Sequence, residues 1–311
     1  MHNKENQLLI SAILTCKNNE RYLSECINSL LSQNYKNFEI VIVDGASTDN
    51  TINILKEYGD KIRWISELDR HAGEGFNKAL KLAAGEILYW INSDDVAEPN
   101  AFQEAISILN KENSIDILYG NQYIIDESSY KIGKYYSHDF DIVSQIKGNF
   151  IPVGSVFIKN SLLRKYSYTF DESLTVNQDI DTWLFFTNRA KFKYINSFWS
   201  SFRKHANSGT YNEKYLNNRI QSTLISYRKF LERVDIGNHY KRIMKRQIKK
   251  IDSSLRFGFY LEQGSVDKAI NIGLNYFKSN PMKIVQNPLF IKQLITLYFS
   301  GNNKNSGNTK N

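Results

Sequence analysis

The stretch YWINSDDVAEP, Tyr89 to Pro99, carries an apolar run straight into Asn92, Ser93, Asp94 and Asp95 and then stops at a helix-start signal. Adjacent carboxylates buried near one another repel, so a site that retains such a pair usually supplies a cation. Oxygen ligands select hard divalent ions, Mg²⁺ or Mn²⁺, which keep open positions for substrate phosphates. A diphosphate leaving group is the natural partner: negative charge develops on it as it departs, and a bound metal stabilises that charge without proton transfer. The sequence has no Walker-type or GxGxxG phosphate loop, which favours a metal-held diphosphate over a loop-cradled one.

The elements that must position these acids read as strands alternating with helices. LLISAILTC (Leu8–Cys16) suits a buried parallel strand, and ERYLSECINSLLSQ places Leu23, Ile27, Leu30 and Leu31 at helical spacing. FEIVIVDGAS repeats the strand pattern, Thr48-Asp49 opens a second helix, IRWISE gives a third strand, EGFNKALKLAAG a helix, and EILYWI a fourth strand. Such alternation predicts right-handed βαβ units and a mainly parallel sheet, with ligands outside the carboxyl ends of the strands. Asp44 ends the second strand, Glu67 and Asp69 follow the third, and Asp94-Asp95 follow the fourth, so all should converge on one crevice edge. Each could also be a turn or cap acid, a reading that suits one of them better than the whole set.

After Pro99 the pattern is less regular. It predicts a helix to about Leu109, strands at DILYGNQYII, KIGKYYS and FIPVGSVFIKN, a helix over 179–189, and a closing strand or strand pair at KFKYINSFWSSFRKH. Beyond Tyr211 the chain turns helical. Tyr240, Ile243, Met244, Ile248, Ile251, Leu255 and Phe259 share one stripe, while Lys241, Arg242, Lys245, Arg246, Lys249 and Lys250 occupy the other. A shorter helical pair follows, and 301–311 has the composition of a disordered tail.

Charge separates the same regions. Residues 211–311 hold 18 Lys/Arg against 6 Asp/Glu, so the net charge of +8 resides in the tail and the first 210 residues are slightly acidic. The tail is therefore expected to face something anionic. An anionic membrane face at Lys241–Lys250 is one reading and an ordinary solvated helix face the other; nucleic acid ranks low because no nucleic-acid module accompanies the stripe. Cys16 and Cys26 are the only cysteines and lack paired metal spacing, which excludes a disulfide framework or zinc site and leaves buried small hydrophobes. The polar start MHNKENQ and the lack of a long apolar run predict a cytoplasmic protein, peripheral on the inner membrane face if the stripe docks there.

The runs ILTCKNNERYLSECINSLLSQNYKNFEIVIVDGASTDNT and ELDRHAGEGFNKALKLAAGEILYWINSDD closely resemble the nucleotide-sugar half of family 2 glycosyltransferases of the GT-A fold, in a subgroup writing its acidic motif NSDD. FDESLTVNQDIDTWLFFTNRAKFKYINSFWSSFRKHANSGT resembles the family's acceptor-side segment, ending in an Arg-x-His pair. The resemblance spans about Leu8 to Thr210. It implies a Rossmann-like, mainly parallel or mixed sheet flanked by helices over 1–210, divided near 110 into nucleotide-sugar and acceptor halves; the helical pattern and charge of 211–300 make that stretch a basic helical extension.

The same resemblance implies roles. Thr15 and Asp44 match positions that hold the nucleobase and ribose, and Asp69 and Lys78 lie where the family meets base or diphosphate. Asn92 stands in place of the first Asp of DxD. Asp94, with Asp95 beside it, matches the metal-binding carboxylate, and His205 a position that completes metal or diphosphate contacts, for Mn²⁺ or Mg²⁺. Asp179 matches the catalytic base, with Gln178 where relatives carry Glu. The implied activity is inverting transfer from a nucleotide-diphosphate sugar to a glycan or lipid-linked acceptor in surface polysaccharide or lipopolysaccharide assembly. Bland readings stand beside these: Asp179 as a helix N-terminal acid, His205 as a structural histidine, Lys78 as a solvated lysine, His71 and Glu74 as surface loop, and Trp64, Trp90 and Trp199 as core. A sugar-1-phosphate nucleotidyltransferase, which should show a Gly-rich basic loop after the first strand, and a lapsed nucleotide-sugar-binding scaffold are the rival functions.

Overall fold

Strand formation follows the apolar runs. In a computed structural model, which describes residues 7–262 except 207, 209, 211, 213 and 214, together with Lys268 and Asn271, β1 (Ile10–Cys16) lies between β2 (Phe38–Asp44) and β4 (Ile87–Trp90), parallel to both. β3 (Arg63–Ser66) adds to β2 in parallel. The connections are α1 (Leu23–Leu31), α2 (Thr51–Glu57) and α3 (Ala72–Leu82), within one to three residues of the helices read from the sequence. Both faces of the sheet are covered. Ala12, Leu14, Ile40 and Ile42 face one core layer with α1 and α4 (Ala101–Lys111), while Ile13, Val41 and Val43 face the other with Phe76 of α3 and Trp183. Truncating Leu14, which is wholly buried, to alanine costs about 2–5 kcal/mol.

Past β4 the sheet becomes mixed. β8 (Val156–Lys159) runs antiparallel to β4 and to β6 (Ile117–Ile125), and β7 (Lys131–Tyr135) pairs antiparallel with β6 as a side branch. The FIPVGSVFIKN segment is a strand only in its second half, because residues 150–155 leave the sheet. β9 (Phe192–Arg203) is one long strand, parallel to β6 with two register shifts, and its end pairs with the two-residue β5 (Val96–Ala97) just past the acidic loop. The strand order is β3-β2-β1-β4-β8-β6-β9-β5. Since β2 and β4 flank β1, the chain switches direction across the sheet there, the place where an open α/β sheet leaves a crevice.

Further helices of this unit are α5 (Ile142–Lys147), α6 (Asn160–Lys165) and α7 (Gln178–Phe186). The compact unit extends to Lys241 and so includes α8 (Leu216–Glu232), which the sequence reading assigned to the extension. Its inclusion has a physical cause. Lys229 of α8 pairs with Asp181 at 2.7 Å and Asp171 at 3.0 Å, and Asn177 donates to Arg219 O and Thr223 Oγ1.

A second unit begins at Arg242. α9 (Asn238–Glu262) is amphipathic: Met244 is enclosed, whereas Arg242, Lys245, Arg246 and Lys249 are exposed. No helix among the described residues is long and apolar enough to cross a membrane. The helical pair expected past α9 and the 301–311 tail lie outside the described residues.

Candidate active site

A cavity of about 640 Å³ opens beyond the ends of β1 and β4, and it is lined by Thr15, Lys17, Asn92, Asp94, Asn149, Asp179 and His205 among others. Residues read from widely separated stretches thus meet in one place, while others of the sequence-derived set stand back from it.

The acidic loop divides its two carboxylates. Asp95 is wholly buried, and its oxygens accept from the Arg203 backbone N–H at 2.9 Å and the Asn92 amide at 3.0 Å. Burial, and then the neighbouring Asp94 charge, pushes the Asp95 carboxyl well above the usual carboxylate range. Asp95 faces the protein, then, and Asp94 faces the cavity, with its Oδ2 2.9 Å from His205 Nε2. Arg203, missed as a site residue by sequence reasoning, locks this arrangement. Its side chain is 1% exposed and donates to the carbonyls of Asp94 and Asp126, to Ser129 Oγ and to Glu25 Oε2 at 2.6 Å, with the guanidinium 4.5 Å from the Tyr22 ring centre. Two residues on, His205 is delivered against Asp94. The length of β9 is what carries both residues back to the end of β4.

Among the described residues, no group of three or more His, Cys, Asp or Glu side chains could enclose a metal ion by itself. The loop offers one carboxylate and one imidazole side by side. That donor set fits a divalent ion taking its remaining ligands from phosphate oxygens and water, as Mg²⁺ does and as carboxylate and imidazole donors allow for Mn²⁺.

Across the cavity, Asp179 sits in the first turn of α7. Its Oδ2 accepts from Asn149 Nδ2 at 2.6 Å. Burial pushes its carboxyl up to about 6, against which the backbone N–H groups of Ile180 and Asp179 and the Asn149 amide pull it down. No ion pair among the described residues includes Asp179. Gln178, just before it, is buried and donates to Leu174 O, and it also lines the cavity.

At the ends of β1 and β4, Thr15 and Asn92 line the cavity. Asp44 does not. It is wholly buried, and its oxygens accept from the Ser47 N–H at 2.9 Å, the Ser47 and Ser66 hydroxyls, and the Cys16 thiol. Those bonds fix the turn after β2. Asp69 lies over two glycines: a Cβ on Gly45 would stand 2.7 Å from Asp69 Oδ1, and one on Gly75 2.9 Å from Thr15 Cγ2 and 3.1 Å from Asp69 Oδ2. The spacing Asp-Gly after β2 and Gly-x-Gly in α3 was the available signal for this close approach. Burial raises the Asp69 carboxyl, opposed by Lys17 and Lys78. Lys78 turns to Glu67 at 3.2 Å and Leu68 O at 3.1 Å, so the ammonium at the cavity wall is that of Lys17. Trp90 and Trp199 are core residues, as read, although Trp90 also reaches the cavity wall.

A sheet of this order, with an acidic loop past the fourth strand and a long returning strand that carries a histidine to it, is the GT-A fold. Similar folds include S. aureus TarS 1–349 in complex with UDP-GlcNAc (TM-score 0.64, 19% identity, 87% of this chain and 81% of that one) and the Pyrobaculum calidifontis mannosyltransferase PcManGT in complex with GDP-Man and Mn²⁺ (TM-score 0.60, 12% identity, 97% and 88%). By sequence the chain is 31% identical over 233 residues to an uncharacterized glycosyltransferase of Rickettsia conorii, covering 72% of this chain and 38% of that protein's length. It is 28% identical over 193 residues to Escherichia coli chondroitin synthase, covering 60% and 28%. Residues 11–170 match Glycosyl transferase family 2, and the chain belongs to that family.

Proposed function

We propose that the chain is an inverting glycosyltransferase, moving a sugar from a nucleotide-diphosphate donor to a hydroxyl of a glycan or lipid-linked acceptor in surface polysaccharide or lipopolysaccharide assembly. The observation that carries this reading is a single cavity lined by both the Asp94–His205 pair and Asp179. The UDP-GlcNAc and GDP-Man complexes of the similar folds support the donor class.

In this reading Asp179, ionised above about pH 6, takes the proton from the acceptor hydroxyl. The acceptor oxygen bonds to the anomeric carbon as the bond from that carbon to the diphosphate oxygen breaks, and the configuration inverts in one displacement. Asp94 and His205 would hold Mn²⁺ or Mg²⁺, which supplies positive charge for the departing diphosphate. Lys17 adds an ammonium at the same wall, Asp69 and Thr15 bracket the nucleoside, and Asn92 keeps Asp95 turned away so that Asp94 alone faces the ligand. Asp44 serves donor binding indirectly, by shaping the turn on which Asp69 rests.

A thermal-shift panel of UDP-, GDP-, dTDP- and CMP-sugars, with and without Mn²⁺, followed by product detection, tests the reading. A donor that binds the native state must raise its apparent stability, so one nucleotide class should give a metal-dependent rise. Donor binding without product in the presence of any glycan or lipid-linked acceptor would favour the lapsed scaffold.

The exposed face of Arg242, Lys245, Arg246 and Lys249 on α9 is a docking face for anionic lipid in this reading. Co-sedimentation with liposomes should then increase with anionic lipid content and fall with salt; independence from both would reject it.

A further inference from the structure

Asn149 lies in the segment between α5 and β8 and was not among the residues singled out from the sequence. Its amide is oriented by its own backbone neighbourhood. Oδ1 accepts from the Ile151 N–H at 3.2 Å, which leaves the NH₂ group as the part that reaches Asp179 Oδ2 at 2.6 Å. The backbone of Asn149 is fixed in turn by Tyr135 of β7, whose hydroxyl donates to Asn149 O at 2.9 Å. Asn149, Tyr135 and Asp179 all line the cavity.

We infer that Asn149 is the positioning residue of the catalytic carboxylate: its amide holds one oxygen of Asp179 and leaves the other for the acceptor hydroxyl. The inference rests on the reading of Asp179 as the base. A base needs a defined direction for its accepting lone pair, and a carboxylate held at one oxygen by a fixed neutral donor has one. A cationic donor would orient the group equally well but would hold its proton affinity far below the useful range. Of the groups around Asp179, Tyr135 from β7 and Tyr168 are phenols pushed up by burial and neutral through the working range; Arg219 of α8 also lines the cavity and donates to Asn212 O, while the Asp179 carboxyl is set by burial, the Ile180 and Asp179 N–H groups and the Asn149 amide.

The test labels the full chain with carboxyl-¹³C aspartate and titrates it by NMR, the Asp179 signal being the one absent from Asp179→Asn. The wild-type midpoint is expected near pH 6. Asn149→Asp can still accept from the Ile151 N–H but sets a carboxylate against Asp179, so the pair should titrate in two steps, the upper at least about one pH unit above the wild-type midpoint. Asn149→Ala, which removes the donor without adding charge, should raise the midpoint by less. With a donor from the thermal-shift panel, both variants should lose turnover about tenfold or more at pH 6, with the acid limb of the rate profile moved upward and donor affinity unchanged. An Asp179 midpoint at the wild-type value in Asn149→Asp overturns the inference. Full transfer by Asp179→Asn would remove the base assignment instead, a separate outcome, because the titration reads the Asn149 contact without any turnover.

Discussion

The two walls of the cavity hold their carboxylates by opposite means. Asp94 stands on a loop locked by a buried guanidinium, that of Arg203, and touches a histidine. Asp179 has a neutral amide and the first turn of a helix for company. If the Asp94 wall receives a diphosphate, as proposed, fixed positive charge there is an advantage, because the ligand brings the negative charge with it. If Asp179 is the base, as proposed, a cation paired directly with it would lower its proton affinity, and no ion pair among the described residues includes it. Burial without ion pairing gives Asp179 its value near 6.

The comparison breaks or holds on removing charge from each wall. Asp179→Asn has the largest expected effect on activity: transfer should fall about 10²- to 10⁴-fold, the range of general-base catalysis, with donor affinity nearly unchanged. Its effect on stability should be favourable. The Asp179 carboxyl rises from 3.8 to about 6 on folding, so the folded state binds this proton more tightly than the unfolded chain. Its contribution to stability therefore declines as the pH rises from about 4 to 6, and the full cost, at most about 3 kcal/mol, stands above pH 6. Urea denaturation should show Asp179→Asn more stable than wild type at pH 8 and nearly equal to it at pH 4. Arg203→Ala should do the reverse, losing about 3 kcal/mol because the carbonyls of Asp94 and Asp126 are left without their buried donor. Donor-dependent thermal shifts with Mn²⁺ should shrink in the same variant. If both variants move stability in one direction, the contrast between the walls is wrong.

Much of the Asp94 wall was legible in the sequence. The unbroken apolar runs of β1 and β2, buried on both faces, the helix spacing of α1 and α3, and the acidic run after β4 are local patterns, and local patterns survive without coordinates. Asp95, Asp44 and Lys78 were placed less well because their roles depend on which way a side chain turns. That is decided by the particular partner each one meets: Arg203 for Asp95, Ser47 and Ser66 for Asp44, and Glu67, eleven residues earlier, for Lys78. The Asp179 wall was harder still. Asp179 carried a motif, but Asn149 lies in an irregular segment with no periodicity, and the membership of α8 in this unit rests on Lys229 meeting Asp181 and Asp171, a pairing of sequence-distant charges that composition does not reveal.

A smaller effect concerns the turn after β2, where Asp69 rests. Gly45→Ala would place a Cβ 2.7 Å from Asp69 Oδ1, so the carboxylate must swing off the turn. The displaced atoms are the far end of a side chain, so stability should change by less than about 1 kcal/mol, whereas donor affinity, read by calorimetry with the donor that the panel selects, should weaken about tenfold if Asp69 brackets the nucleoside. Unchanged affinity would remove Asp69 from the donor contacts.

The smallest expected effect separates two lysines. Lys78 spends its ammonium on Glu67 and Glu74, and Glu67 is 58% exposed, so the pair is screened and worth roughly 0–1 kcal/mol. Lys17 is exposed and lies at the cavity wall, where a diphosphate would meet it. Lys17→Ala should therefore weaken donor affinity several-fold, with the loss diminishing as salt is raised, while Lys78→Ala should leave it within about twofold. The reverse ranking would mean that the acids holding Lys78 release it when donor binds, and that the loop over 67–74 closes on the diphosphate rather than standing beside it.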